Sequence, residues 1–158
     1  MDIRPVAETV AGQPMFAGLD DRSRALLGGC AKHARFRAGA YLFRQGEVAD
    51  AFFLLRQGRV GLEVEAAGND AASVGALGAG EIVGVSWLAP PYRWRCDARA
   101  LEDVRAISFD AACLRRKSEA QPDLGYEIMR RFIPILIQRL QATRLQMLDV
   151  DGDRRPPP

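Results

Sequence analysis

Between His33 and Phe109 the sequence is broken by glycine at nine points: Gly39, Gly46, Gly58, Gly61, Gly68, Gly75, Gly78, Gly80 and Gly84. The runs between these glycines are short and rich in aromatic and β-branched residues, too short for helices of ordinary length and suited to a pleated, half-buried surface. They predict strands over 33–37, 40–44, 51–56, 59–66, 73–77, 94–101 and 103–109. Strands at this spacing, with no helix-sized segments between them, close as an antiparallel roll or barrel, not as a parallel sheet with crossover helices. Over Arg93 to Ala100 apolar and polar residues alternate, which turns Trp94, Cys96, Ala98 and Ala100 inward and leaves Arg93 and Arg95 on the solvent face.

Helical periodicity frames this region on both sides. A short helix is expected over Pro5 to Ala11, and another over roughly 20–31, with Asp20 or Asp21 as N-cap and Leu26, Leu27 and Cys30 on one face. After Asp110 come a short helix over 110–118 and a long one over 122–148, opened by Gln121-Pro122-Asp123. On the long helix, Met129, Ile133, Leu136, Ile137, Leu140, Met147 and Leu148 form one apolar face, and Leu124, Ile128, Phe132 and Ile135 widen it enough for two packing surfaces. Pro134 removes one backbone hydrogen bond and should kink the helix or start a new turn. The tail 149–158 is polar and proline-rich and is expected to be disordered. The organisation is thus an N-terminal segment 1–12, one domain over 13–148 with its roll at 33–109 and its C-terminal helices at 110–148, and the tail.

At 158 residues the chain is long enough for one core without disulfides or metal, and its 48% hydrophobic and 27% charged fractions are ordinary for a globular protein. No apolar run reaches the ~18–20 residues that span a bilayer, and the N-terminus lacks a signal-peptide pattern, so cytoplasmic residence without a membrane partner is expected. Cys30, Cys96 and Cys113 are widely spaced and odd in number, which suggests small buried or half-buried thiols and neither a disulfide framework nor a metal site.

Five segments in order carry a resemblance: Phe16-Ala17-Gly18-Leu19, Phe36-Arg37-Ala38-Gly39, Leu42 to Glu47, Phe52 to Val60 and Leu77-Gly78-Ala79-Gly80-Glu81. Together with the element order they resemble the cyclic nucleotide-binding domain of bacterial catabolite activators and of the regulatory subunits of cyclic-AMP-dependent kinase, over about residues 13–148. The resemblance implies a mainly β fold with flanking helices, a β-roll or jelly-roll followed by a long C-terminal helix. It also implies a cassette in which a glycine-led helical turn aims backbone N–H groups at the cyclic phosphate.

Gly84 matches the cassette glycine, but Val85 stands where the family places a glutamate for the ribose 2′-hydroxyl, and Trp94 stands where it places the phosphate-pairing arginine. A buried phosphate without a charge partner is costly, so either Arg95 or Arg93 must turn inward to hold it, with Ser86 and the amides of Val85 to Trp87 completing the anion site. Otherwise both arginines stay on the solvent face. Trp87, Tyr92 and Trp94 either fill the pocket as core or stack on a planar ligand.

The candidate ligand residues are therefore Gly84, Val85, Ser86, Trp87, Arg93, Trp94 and Arg95, and the implied ligand is cyclic AMP, cyclic GMP or another anionic small molecule. No catalytic or metal-binding residues and no cofactor are assigned. His33 is a lone histidine, and the usual cupin-like metal enzyme needs several. Family activators continue into a helix-turn-helix domain, whereas this sequence stops soon after Leu148, so sequence-specific DNA binding is not expected. The function expected is a regulatory sensor that signals through its C-terminal helices and forms a homodimer through 122–148. The competing expectation is a ligandless interaction scaffold whose aromatics plug the pocket.

Overall fold

The computed structural model describes residues 4–65 and 71–153, with side chains through Asp149. The chain divides into two compact units, Met1–Lys117 and Ser118–Pro158.

The first unit opens with α1 (Val6–Ala11), a 3-10 turn at Pro14–Phe16 and α2 (Asp21–Gly28). Asp20 caps α2, its carboxylate accepting the Ser23 amide at 2.7 Å, which satisfies one of the amides a helix start leaves without a partner. The roll follows: β1 (Ala31–Phe36), β2 (Tyr41–Phe43), β3 (Ala51–Gln57), β4 (Val60–Glu65), β5 (Ala71–Leu77), β6 (Ile82–Val83), β7 (Asp97–Ala100) and β8 (Val104–Asp110). They form two four-stranded antiparallel sheets, ordered β1-β8-β3-β6 and β2-β7-β4-β5. The first part of α3 (Ala111–Ala120) completes this unit.

Alternation along β3 sorts the core. Phe53 turns between the sheets and meets Phe36 of its own sheet and Phe43 of the other. Phe52 turns outward and stacks on Phe109 and Trp87, with Phe16 edge-on against Phe109. Both faces of the central strands are therefore covered, which explains why β3 runs Phe52-Phe53-Leu54-Leu55 without a polar residue.

The antiparallel roll agrees with the sequence, but three local readings need correction. The strand expected at 94–101 starts only at Asp97. Before it, Tyr92 sits at φ +53° after a cis Pro90–Pro91 bond, and Arg93 makes an isolated bridge to Val48. Cys96 is half-buried there, not core. The two-residue β6, pairing Phe53 with Val83 and Leu54 with Ile82, has no counterpart in the expected strands.

The thiol reading is also corrected: Cys30 and Cys113 are joined in a disulfide, 83 residues apart in sequence with Cα atoms 5.9 Å apart, inside the range a bridge can span. Pairing of β1 with β8, Ala31 opposite Phe109, brings the end of α2 beside the start of α3, and this long-range register is invisible in cysteine spacing.

In the second unit α4 runs from Pro122 to Asp153 and continues through Pro134. It includes residues 149–153 of the expected disordered tail, and residues 154–158 lie outside the described part. Apart from Ile135, which is half-buried, the apolar residues singled out on it fall into two sets. Leu124, Ile128 and Phe132 are buried, whereas Met129, Ile133, Leu136, Ile137, Leu140, Met147 and Leu148 are exposed.

Candidate ligand cassette

The cassette is built where β6 ends. Gly84 adopts φ +100°, a conformation that disfavours any residue with a Cβ, and turns the chain into the 3-10 turn Ser86–Leu88. A Cβ at Gly84 would lie 2.8 Å from the Trp94 indole, so the glycine is needed for space as well as for its backbone angle. The Leu88 amide closes the turn on the Val85 carbonyl at 3.1 Å. Neither the Val85 amide nor the Ser86 amide has a backbone hydrogen-bond partner among the described residues.

Trp94 occupies the inner side of this turn. It is 4% exposed and stacks on Phe43 with ring centroids 3.7 Å apart and planes 7° from parallel. Its backbone is pinned on both sides, the amide donating to the Glu47 carbonyl at 3.0 Å and the carbonyl accepting the Gly46 amide at 2.9 Å. Trp87 faces the opposite way and packs on Phe52. The two tryptophans therefore belong to different layers: Trp94 fills the space between the sheets, and Trp87 belongs to the outer core.

The arginines stand apart from that space. Arg93 is exposed and donates to the Gly46 carbonyl at 3.1 Å. Arg95 is exposed, as the strand alternation predicts. Val85 and Ser86 are half-buried.

A residue that the sequence did not single out joins the cassette to α3. Arg115 donates to the Trp87 carbonyl at 2.9 Å, and its guanidinium lies over the Tyr92 ring, 4.3 Å from the centroid. One side chain thus holds both ends of the 87–92 loop. On its other flank α3 is fastened by the Cys30–Cys113 bridge and by Lys117, which donates to the Leu26 carbonyl at 2.8 Å. No sequence signal marks Arg115, because an arginine 28 residues downstream of its acceptor looks like any solvated helix charge. His33 is exposed at the edge of the roll, with Nε2 3.1 Å from the Arg4 carbonyl. No cluster of His, Cys, Asp and Glu suited to a metal ion occurs among the described residues. Nor, among them, is any helix long and apolar enough to cross a membrane.

Comparison with known proteins places this geometry. The profile of the cyclic nucleotide-binding domain matches residues 33–121. A protein from Geobacter metallireducens GS-15 named for cyclic nucleotide binding superposes with a TM-score of 0.76 at 29% identity, over 88% of this chain and 99% of that one. The catabolite activator protein of Thermus thermophilus shares the fold, with a TM-score of 0.67 at 22% identity, covering 88% of this chain and 63% of its own. Among curated proteins, Glutaminase 1 of Bradyrhizobium diazoefficiens is 30% identical over 133 residues, 83% of this chain but 21% of the glutaminase. The chain therefore spans about a fifth of that relative's length.

Proposed function

The chain belongs to the cyclic nucleotide-binding domain family, and from that membership we propose that it is a regulatory sensor whose Gly84 cassette takes an anionic small molecule and passes the change through α3 to α4. Cyclic AMP and cyclic GMP are the first ligands to consider. The observation that carries this reading is Arg115, which ties the loop following the cassette turn to the helix leading into α4. A ligand that rearranges residues 84–94 changes what Arg115 can hold, and such differential contact is the condition for a ligand to shift a helix.

In this reading Trp94 yields. Its indole lies where a group entering above Gly84 would sit, so occupancy requires the ring to leave Phe43. The amides of Val85 and Ser86 then meet the anion. Arg95, exposed on the next residue, supplies the guanidinium, with Arg93 as the alternative once it releases Gly46. Val85 offers no acceptor for a ribose hydroxyl, so affinity rests on the phosphate end of the ligand. No catalytic role is assigned.

Calorimetric titration with cyclic AMP and cyclic GMP tests the proposal. Saturable heat with either nucleotide is expected, weakened about tenfold or more by Arg95→Ala or Arg93→Ala, the loss expected for a charge-assisted hydrogen bond. No heat with either nucleotide would count against it and in favour of the competing reading, a ligandless interaction scaffold. That reading draws its support from the tight Trp94–Phe43 stack.

We further propose self-association through α4. Tyr126, Met129, Ile133, Leu136 and Leu140 are all exposed and follow the alternating three- and four-residue spacing of a two-helix seam, which the exposed Met147 resumes after the polar Thr143.

A further inference from the structure

A cavity of about 720 Å³ has a lining that includes no residue between Gly84 and Arg95. That volume falls within the ~300–1,000 Å³ common for small-molecule sites. Across its floor Lys32, Ser108 and Phe53 are cross-strand partners on β1, β8 and β3, so their side chains share one face of the sheet. The Phe53–Phe43 contact identifies that face as the one turned between the sheets.

Ser108 is 6% exposed and lines the cavity, and no side-chain hydrogen bond to its hydroxyl occurs among the described residues. The hydroxyl therefore faces space that a ligand can fill. Lys32 is exposed at the rim of the same row. One step along the strands lie two carboxylates. Asp110 is opposite Ala51, and Asp50 precedes Ala51 in the chain. One oxygen of Asp110 accepts the Cys113 amide at 2.9 Å, which leaves the other. Phe36, edge-on to Phe53 at 5.5 Å, extends the apolar wall. His33 and Arg35 also border the cavity, but they pair with Ile107 and Arg105, on the opposite face of the strand.

On this face the polar groups are thus the Lys32 ammonium, the Ser108 hydroxyl and the Asp110 carboxylate, with the Asp50 carboxylate at its end, beside two aromatic rings. A simple anion is repelled by the carboxylates, and a simple cation by Lys32. Both are satisfied by a molecule carrying both charges, and the rows that hold them are roughly 6.5–7 Å apart along the strands. We propose that this cavity is a second ligand site, separate from the cassette, for a small zwitterion of the amino-acid type with an apolar or aromatic side chain. Its carboxylate meets Lys32 and the Ser108 hydroxyl, its ammonium meets Asp50 and Asp110, and its side chain rests on Phe36 and Phe53.

Calorimetry on the full chain with L-phenylalanine, phenylacetate and phenethylamine tests this, since the last two each lack one charge. L-phenylalanine should bind saturably and about tenfold or more tighter than either. Lys32→Met, at an exposed position that leaves the core intact, should weaken it about tenfold, and Ser108→Ala should weaken it while Ser108→Thr retains it. Arg95→Ala should leave it unchanged, which separates this site from the cassette. The proposal is overturned by no saturable heat from L-phenylalanine up to about 10 mM, a weak-binding limit. It is equally overturned by phenylacetate binding as tightly as the amino acid, or by undiminished binding in Lys32→Met.

Discussion

Trp94 closes the inner side of the Gly84 turn. Its position in the sequence marks the absence of the family's arginine, and its position in the roll shows the consequence: an indole fills the space and is stacked on Phe43. Deleting a large buried ring leaves a cavity that its neighbours close only in part, so Trp94→Ala should lower stability by about 3–5 kcal/mol in denaturant unfolding. A change below about 1 kcal/mol would mean that the ring is not packed as described. A second residue-scale prediction concerns Asp20. The Ser23 amide, followed by the Ser23 hydroxyl, holds its carboxyl below the usual carboxylate range. A group with a lowered folded pKa stabilises the fold above its unfolded value, and that contribution is lost as the pH falls through the folded value. Asp20→Ala should therefore melt below the wild type at pH 7, and the gap should close as the pH falls below about 4. A gap that stays constant with pH would show that the cap's charge plays no part.

At the scale of elements, what the sequence reveals depends on whether the signal is local. Strands β3 and β4 are legible because glycines bound them within a few positions, β8 because apolar residues recur along it, and the N-cap of α2 because capping is settled over four residues. β6 is missed because two residues carry no periodicity, and its pairing with β3 is decided by β3's neighbours. The Cys30–Cys113 bridge and the Arg115 clasp are missed for one shared reason: each joins segments that only the completed β1–β8 register and the cassette loop bring together. Of the candidate site, Gly84 and its turn, the inward face of Trp94 and the solvent face of Arg93 and Arg95 could be anticipated from glycine and alternation, whereas the outward face of Trp87 could be assigned only once the sheets were formed. The bridge has a direct test. Alkylation of the denatured chain without reductant should modify one thiol, Cys96, and three after reduction; three thiols before reduction would contradict it. In the chain-entropy account a loop of this length contributes about 4.5 kcal/mol, so Cys30→Ser should lower the unfolding midpoint clearly.

For the molecule as a whole, a roll that senses and a helix that reports are useful only if the two are coupled and the helix has something to engage. The exposed stripe on α4 predicts a dimer, and Leu136→Glu together with Leu140→Glu, which place charge in the seam, should return the protein to monomer in sedimentation at tens of micromolar, an order-of-magnitude concentration for a reversible association. A wild-type monomer under those conditions would remove the second copy from the account. The coupling itself is tested most directly by hydrogen exchange over residues 111–120, with and without a cyclic nucleotide that calorimetry shows to bind, in the wild type and in Arg115→Ala. Ligand should change exchange in this segment in the wild type and have little effect on it in the variant. Exchange there that ignores a bound nucleotide, or responds equally without the Arg115 guanidinium, would contradict the proposed transmission from cassette to α3.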